Sequence, residues 1–306
     1  MRILIRTSKW AILARRLGGL AVPLTVIPVL LHRERLIPSN IFVVAAAVAA
    51  LVALLAVLVA LLALIRLWNT GDHGWGRTLG GLVLALLCLA PVAWFGALAM
   101  RYPPATDIAT ASRGLMPLVL EPDTTLMPPP QLLTGAQIET IFPDVKTRTY
   151  PLNAQQTYDI VLRMVEERGW DIRLQHPPAT AGGVGQINAR IVTLAGWREE
   201  AVLRIAGAAT GASVDMRSAS INAVHDFGSN GSRIEDFLTA LDTEITTLIR
   251  DNPNASQPVE AEPDENAEPV EGAPTEDGTE DQVPAADAPT APAPADDIPS
   301  EVMSPG

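Results

Sequence analysis

One cysteine stands in the 306 residues of this chain. With Cys88 alone, no disulfide can close within the chain, and a zinc site built on several thiolates is excluded. The four histidines, His32, His73, His176 and His225, lie far apart, so the sequence predicts no metal site and implies no cofactor. Lys and Arg are missing from residues 251–306, which hold 15 Asp and Glu and 11 Pro. That segment alone carries −15, and the other 250 residues come to 22 − 19 = +3. The overall charge of −12 therefore describes a tail and not a domain surface. No basic patch points to nucleic acid. The tail has almost no large apolar residues to offset its ordering entropy, and it is expected to be a disordered, solvated segment.

What the chain has in abundance is apolar sequence near its start. Residues 41–65 are 25 consecutive apolar residues without a charge, Gly or Pro. As a helix they would reach about 37 Å, more than the roughly 30 Å of a bilayer's hydrocarbon core. Residues 79–100 are a second uncharged run, interrupted by Gly80, Gly81 and Pro91, which membrane helices tolerate. A first segment, 12–32, reaches spanning length when Arg15 and Arg16 extend toward head groups. Its rival reading, a cleaved signal peptide, lacks a small-x-small cleavage site; HRERL follows instead. Neither of the second and third segments has a charge at its centre, which argues for an anchor and against an ion pathway.

Basic residues near the segment ends set the predicted orientation. Arg2, Arg6, Lys9, Arg15, Arg16, Arg66 and Arg77 fall on one side of three spans; Arg33, Arg35 and Arg101 fall on the other. The expectation is an integral protein of the bacterial cytoplasmic (inner) membrane. Its transmembrane region is 1–101, its N-terminus is cytoplasmic, and everything after Arg101 is periplasmic.

Residues 102–135 are rich in Pro and Thr, without periodicity, and read as a semi-rigid spacer. Residues 136–250 read as a soluble domain. A strand is expected at 145–150. Asn153 with Gln156 makes a capping box that opens a helix ended by Gly169. Strands follow at 170–174, 186–194, 201–205 and 213–219, the second and last of them with period-two alternation. Ser232 with Glu235 suggests a second capping box, before an amphipathic stripe from Ile234 to Ile249. The fold class is α+β: a two-layer domain with an antiparallel sheet of about five strands covered on one face by two helices.

Three stretches resemble the family known as domain of unknown function 1499. They are 107–110 (DIAT), 186–205 (QINARIVTLAGWREEAVLRI) and 214–241 (VDMRSASINAVHDFGSNGSRIEDFLTAL). Ala109, Asn188 and Ile221 depart from the family's usual Ser, Glu and basic residue. Members of the family often carry several N-terminal membrane segments, which agrees with the layout above. The resemblance brings no biochemical activity with it.

The densest polar cluster is Asp215, Arg217, Ser218, Ser220, His225, Asp226, Asn230, Ser232 and Arg233. Three uses compete. In a membrane-tethered hydrolase, a serine would attack with His225 as base and Asp226 orienting it. However, adjacent His and Asp side chains diverge, and no Gly-x-Ser-x-Gly elbow is present. As a binding site, a helix start near Ser232 with Arg217 and Arg233 would hold an anionic group such as a lipid head group. As structure, Asp215 and Arg217 share one strand face and would pair with Arg233 or Asp226, pinning the last strand to the last helix. The leading expectation is a non-catalytic envelope protein whose partners are the lipid bilayer and a lipid or envelope protein.

Overall fold

The computed structural model describes residues 8–119, 131–180, 182–221 and 223–252. The chain divides into a unit spanning Met1–Val259 and a tail, Glu260–Gly306. The predicted disorder of 251–306 falls almost wholly outside the described residues.

Three helices come first: α1 (Lys9–Arg33), α2 (Ser39–Thr70) and α3 (Trp75–Arg101). Each is long and apolar enough to cross a membrane. Their packing inverts that of a soluble bundle. On α2 the buried positions include Ala49, Ala53, Ala56, Ala60 and Ala63, while Leu51, Leu54, Leu55, Leu58, Leu61 and Leu62 face outward. Small residues at alternating steps of four and three let helix backbones approach, the pattern used where lipid surrounds the bundle. At their glycines, α1 and α3 come into backbone contact. A Cβ built on Gly18 would lie 2.3 Å from the Gly81 carbonyl oxygen, and one on Gly81 would lie 2.5 Å from that of Ala14. Gly80 and Gly81, read from sequence only as tolerated interruptions, include the residue on which the two helices touch.

The domain that follows contains β1 (Asp107–Ala109), α4 (Gly135–Ile141), β2 (Arg148–Tyr150), α5 (Ala154–Glu167), β3 (Asp171–His176), β4 (Val184–Val192), β5 (Arg198–Ala208), β6 (Gly211–Ile221) and α6 (Ser229–Asp251). The sheet is antiparallel throughout, in the order β1-β6-β5-β4-β3, with β2 sharing the β6 edge with β1. Among the described residues it has six strands where about five were expected, and α4 is a third α-helix. Both additions come from stretches too short for periodicity to register. β1 lies within 102–135, so part of the expected spacer is a strand of the sheet.

Alternation fixes what each face of the sheet carries. Ile187 and Ala189 of β4, Leu203 and Ile205 of β5, and Val214 and Met216 of β6 share a core with Val161 and Val165 of α5 and Phe237, Leu238 and Leu241 of α6. The capping box of Asn153 and Gln156 is present, and a further one at Thr134 and Gln137 opens α4. The expected box at Ser232 is not formed. The helix α6 begins at Ser229 behind Gly228, whose backbone is left-handed, and Ser232 lies inside its first turn.

Candidate functional site

The strand β6 is the axis of the polar cluster, and it divides the predicted residues between the two faces of the sheet. Asp215 and Arg217 project away from the helices; Ser218 and Ser220 project toward α6.

On the face away from the helices, Arg217 donates from Nε to Asp107 Oδ1 at 3.1 Å and from Nη2 to Oδ2 at 2.7 Å. Its Nη1 donates to the Met116 carbonyl at 2.7 Å. Arg113 also reaches Asp107, with Nε 3.3 Å from Oδ2. Asp215 accepts from Arg204 Nη1 at 3.1 Å and from Thr147 Oγ1 at 2.6 Å. Glu200 accepts from Asn188 Nδ2 at 2.6 Å and from the Val119 amide at 2.8 Å. Thus segment 110–119 lies over this face, held by the Arg113–Asp107 ion pair and by the hydrogen bonds at the Met116 carbonyl and the Val119 amide. The expected pairing of Asp215 or Arg217 with Arg233 or Asp226 does not occur. The hairpin register sets Asp215 opposite Arg204, and α6 lies on the other face.

On the helix face, Arg233 of α6 forms an ion pair with Glu199 of β5. Glu199 Oε1 also accepts from Ser220 Oγ and Ser229 Oγ, both at 3.1 Å. Arg233 Nη1 donates to Ser218 Oγ at 2.9 Å, and Ser218 Oγ donates to Asn230 Oδ1 at 2.8 Å. The amide of Asn230 donates to Ser220 Oγ at 3.0 Å and to the Thr106 carbonyl at 3.3 Å. Every polar side chain in this ring is engaged, the condition under which a buried polar network rigidifies its surroundings.

The turn before α6 uses Asp226, whose carboxylate accepts from the amides of Gly228 at 2.9 Å and Asn230 at 3.4 Å. Burial pushes its carboxyl above the usual carboxylate range, and the two amides, the Asn230 side chain and His225 oppose that shift. His225 Nδ1 accepts from the Phe227 amide at 2.8 Å, so a neutral ring carries its proton on Nε2. That Nε2 is buried with no hydrogen-bond partner among the described residues. The ring stacks on Phe227, 4.5 Å between centroids.

Chemically, this arrangement holds elements together. No hydrogen bond among the described residues joins His225 to Ser218 or Ser220, and both hydroxyls are committed elsewhere. The anion position at the start of α6 is filled by the chain's own Asp226, with Glu199 on Arg233. No group of three or more metal-ligating side chains converges among the described residues. An open pocket of about 770 Å³ lies far from the cluster in sequence, lined by the loop that joins α2 to α3 and by the first turn of α3, from Gly71 to Arg77.

Sequence reasoning passed over Glu199, Asp107 and Arg113. Glu199 was within reach, because the two-residue turn at 209–210 sets it opposite Ser220 once the hairpin is drawn. Asp107 pairs with Arg217 across a contact that no local pattern encodes.

The domain also meets the helix bundle. At the β4–β5 hairpin tip, His32 donates from Nδ1 to the Ala195 carbonyl at 2.6 Å, and Arg33 donates to that of Leu194 at 3.3 Å. His32 stacks on Phe42 of α2 at 4.5 Å, and Trp197 sets its edge against both rings. Gly196, with φ of +88°, brings the tip so close that a Cβ there would lie 2.6 Å from Arg33 Cα. At the second contact, Phe227 packs on Phe95 of α3 at 5.1 Å. Beside it, Tyr102 stacks on Phe142 at 5.6 Å.

Residues 123–241 match the family model described as "Protein of unknown function (DUF1499)". The match takes in β2 to β6 and most of α6; β1, with Asp107, lies before it. No curated protein and no solved structure matches the chain.

Proposed function

We propose that this chain, whose residues 123–241 belong to the DUF1499 family, is a membrane-anchored, non-catalytic envelope protein. Its domain is held at the periplasmic surface of the bacterial cytoplasmic membrane, where it engages a lipid or a protein partner. The observation that carries this reading is the seating of the domain on the ends of the apolar helices, through His32 with Ala195 and Phe95 with Phe227. A domain meant to search freely for substrate would hang on a loose tether, whereas this one is fixed at one height and angle.

Three crossings leave the domain on the side opposite the N-terminus. The excess of Lys and Arg before α1 and between α2 and α3 supports a cytoplasmic N-terminus. Within the domain, Asp215, Arg217, Ser218, Ser220, His225, Asp226, Asn230 and Arg233 serve to lock β1, β5, β6 and α6 together, leaving the surface for recognition. The hydrolase alternative would need a serine with a base, and the contacts of Ser218 and Ser220 supply none.

Reporter fusions after residue 252 test the topology. Alkaline phosphatase, active only outside the cytoplasm, is expected to be active there, and a cytoplasm-dependent fluorescent protein is expected to be dark. The reverse pattern would overturn the periplasmic assignment.

A further inference from the structure

We infer that the domain does not merely stand above the bilayer but dips a defined rim into its interface, with Leu194 and Val224 among the lipid head groups. This rests on the membrane-anchored reading above.

Helices α1 and α3 run parallel and in step. A Cβ on Gly74 would meet Ala11, Gly81 meets Ala14 and Gly18, and Ala21 clusters with Cys88. The offset is thus 63 to 67 positions, and it carries His32 to the level of residues 95–99. His32 and Phe95 are the two bundle residues on which the domain's contacts centre, and Phe42 stacks on His32 at the same height. The contacts therefore define one plane across all three helices.

That plane lies at the ends of α1 and α2 and inside the apolar run of α3. Phe95 is six residues, about 9 Å along a helix, short of the α3 end at Arg101. Phe42 is in the first turn of α2. Trp94 beside Phe95 is 65% exposed, the posture of a tryptophan in the aromatic belt at a lipid–water boundary.

Around the same plane, large apolar side chains stand exposed among the described residues. Leu194 at the hairpin tip is 88% exposed, Leu36 in the α1–α2 loop 70%, and Val224 beside the Phe227 turn 57%. Leu194 is held there by its own carbonyl, which accepts from Arg33 at the end of α1. Their place at the span ends, level with the exposed Ile41, Val43 and Val44 that begin the apolar run of α2, makes the bilayer interface the occupant. At the other end of β5, the turn at 209–210 stands about 36 Å along the strand from the seated tip, at roughly 3.3 Å per strand residue, and serves as the control position.

The test uses the full chain with Cys88→Ala, reconstituted in phosphatidylcholine–phosphatidylglycerol vesicles. Single cysteines Leu194→Cys, Val224→Cys, Thr210→Cys and Leu55→Cys carry an NBD label. Labels at 194 and 224 are expected to shift to the blue relative to 210, to be quenched by nitroxide-bearing lipid, and to resist aqueous iodide. The label at 210 should do the opposite. Should 194 and 224 follow 210 while 55 is quenched by lipid, the interfacial seat is wrong and the anchor stands. Labels at 194 and 224 that resist both quenchers mean a protein covers the rim, which also overturns the inference. A label at 55 that lipid does not quench removes the membrane-anchored reading itself.

Discussion

Arg217 on β6 grips both carboxylate oxygens of Asp107 on β1, at 3.1 and 2.7 Å, across 110 positions of sequence. The residue after it, Ser218, points through the sheet to the other side, where Arg233 and Asn230 hold it. One strand thus ties two things to the sheet. Its outer face fixes the chain arriving from α3, and its inner face fixes the start of α6.

Removing one partner of the outer pair should be costly. Asp107 and Arg217 are both largely buried, and breaking a buried pair by deleting one side strands the other charge, at about 3–5 kcal/mol. Thermal unfolding of the full chain in detergent should show Asp107→Ala and Arg217→Ala each melting well below the parent. The double variant should lose less than the sum of the two. Arg217→Lys should recover only part of the loss, because lysine cannot grip two oxygens in one plane. Independent, additive losses would show that the pair does not act as a unit.

The inner ring gives a prediction that separates structure from catalysis. Asn230 is fully buried and bridges Ser218, Ser220 and the Thr106 carbonyl. Asn230→Ala takes one partner from each of these groups and leaves the Ser218 hydroxyl without its acceptor, at about 1–3 kcal/mol for a buried group so stranded. Glu199→Ala should match or exceed that, since it abandons the Arg233 guanidinium. The losses are read from denaturant midpoints at unchanged slope. Ser218→Ala or His225→Ala variants with an unaltered midpoint but an abolished hydrolytic activity would contradict a structural role.

Asp226 predicts a pH dependence of definite sign. Its carboxyl ionises less readily folded than unfolded, because burial disfavours the charge. In the window between the unfolded value of 3.8 and the raised folded one, the folded state binds more protons, so the group's contribution to stability falls as pH rises. The parent should therefore lose stability relative to Asp226→Asn as pH climbs through that window, with a constant difference above it. A parent that gains on Asp226→Asn over the same range would mean that the amide hydrogen bonds outweigh burial.

The elements legible in the sequence were those whose signal is local. Residues 41–65 announce a span by being apolar on every side. The Asn153–Gln156 box and the alternation in 186–194 and 213–219 mark α5, β4 and β6 within a few residues. Elements held by distant partners were not legible. With three residues, β1 has no period to read, and it exists because β6 offers an edge on which Asp107 meets Arg217. Ser232 and Glu235 show the limit of a local motif. The pattern fits a helix start, but Asp226 caps the amides of Gly228 and Asn230 and begins the helix at Ser229 instead. For the site, the pairings differ from those expected: alternation along β6 sets Asp215 and Arg217 on one face, but nothing local says that Arg204 and Asp107 meet them there.

The seating of the domain on the helices is tested most directly by cross-linking in native membranes. Phe95→Cys and Phe227→Cys are placed together in the Cys88→Ala chain, with a protease site inserted between residues 120 and 130. A short bifunctional thiol reagent should join them, so that after cleavage the two halves still migrate as one band on a denaturing gel. The Phe95→Cys, Thr210→Cys pair should fall into two. If the first pair separates as freely as the second, the domain is not docked on the bundle.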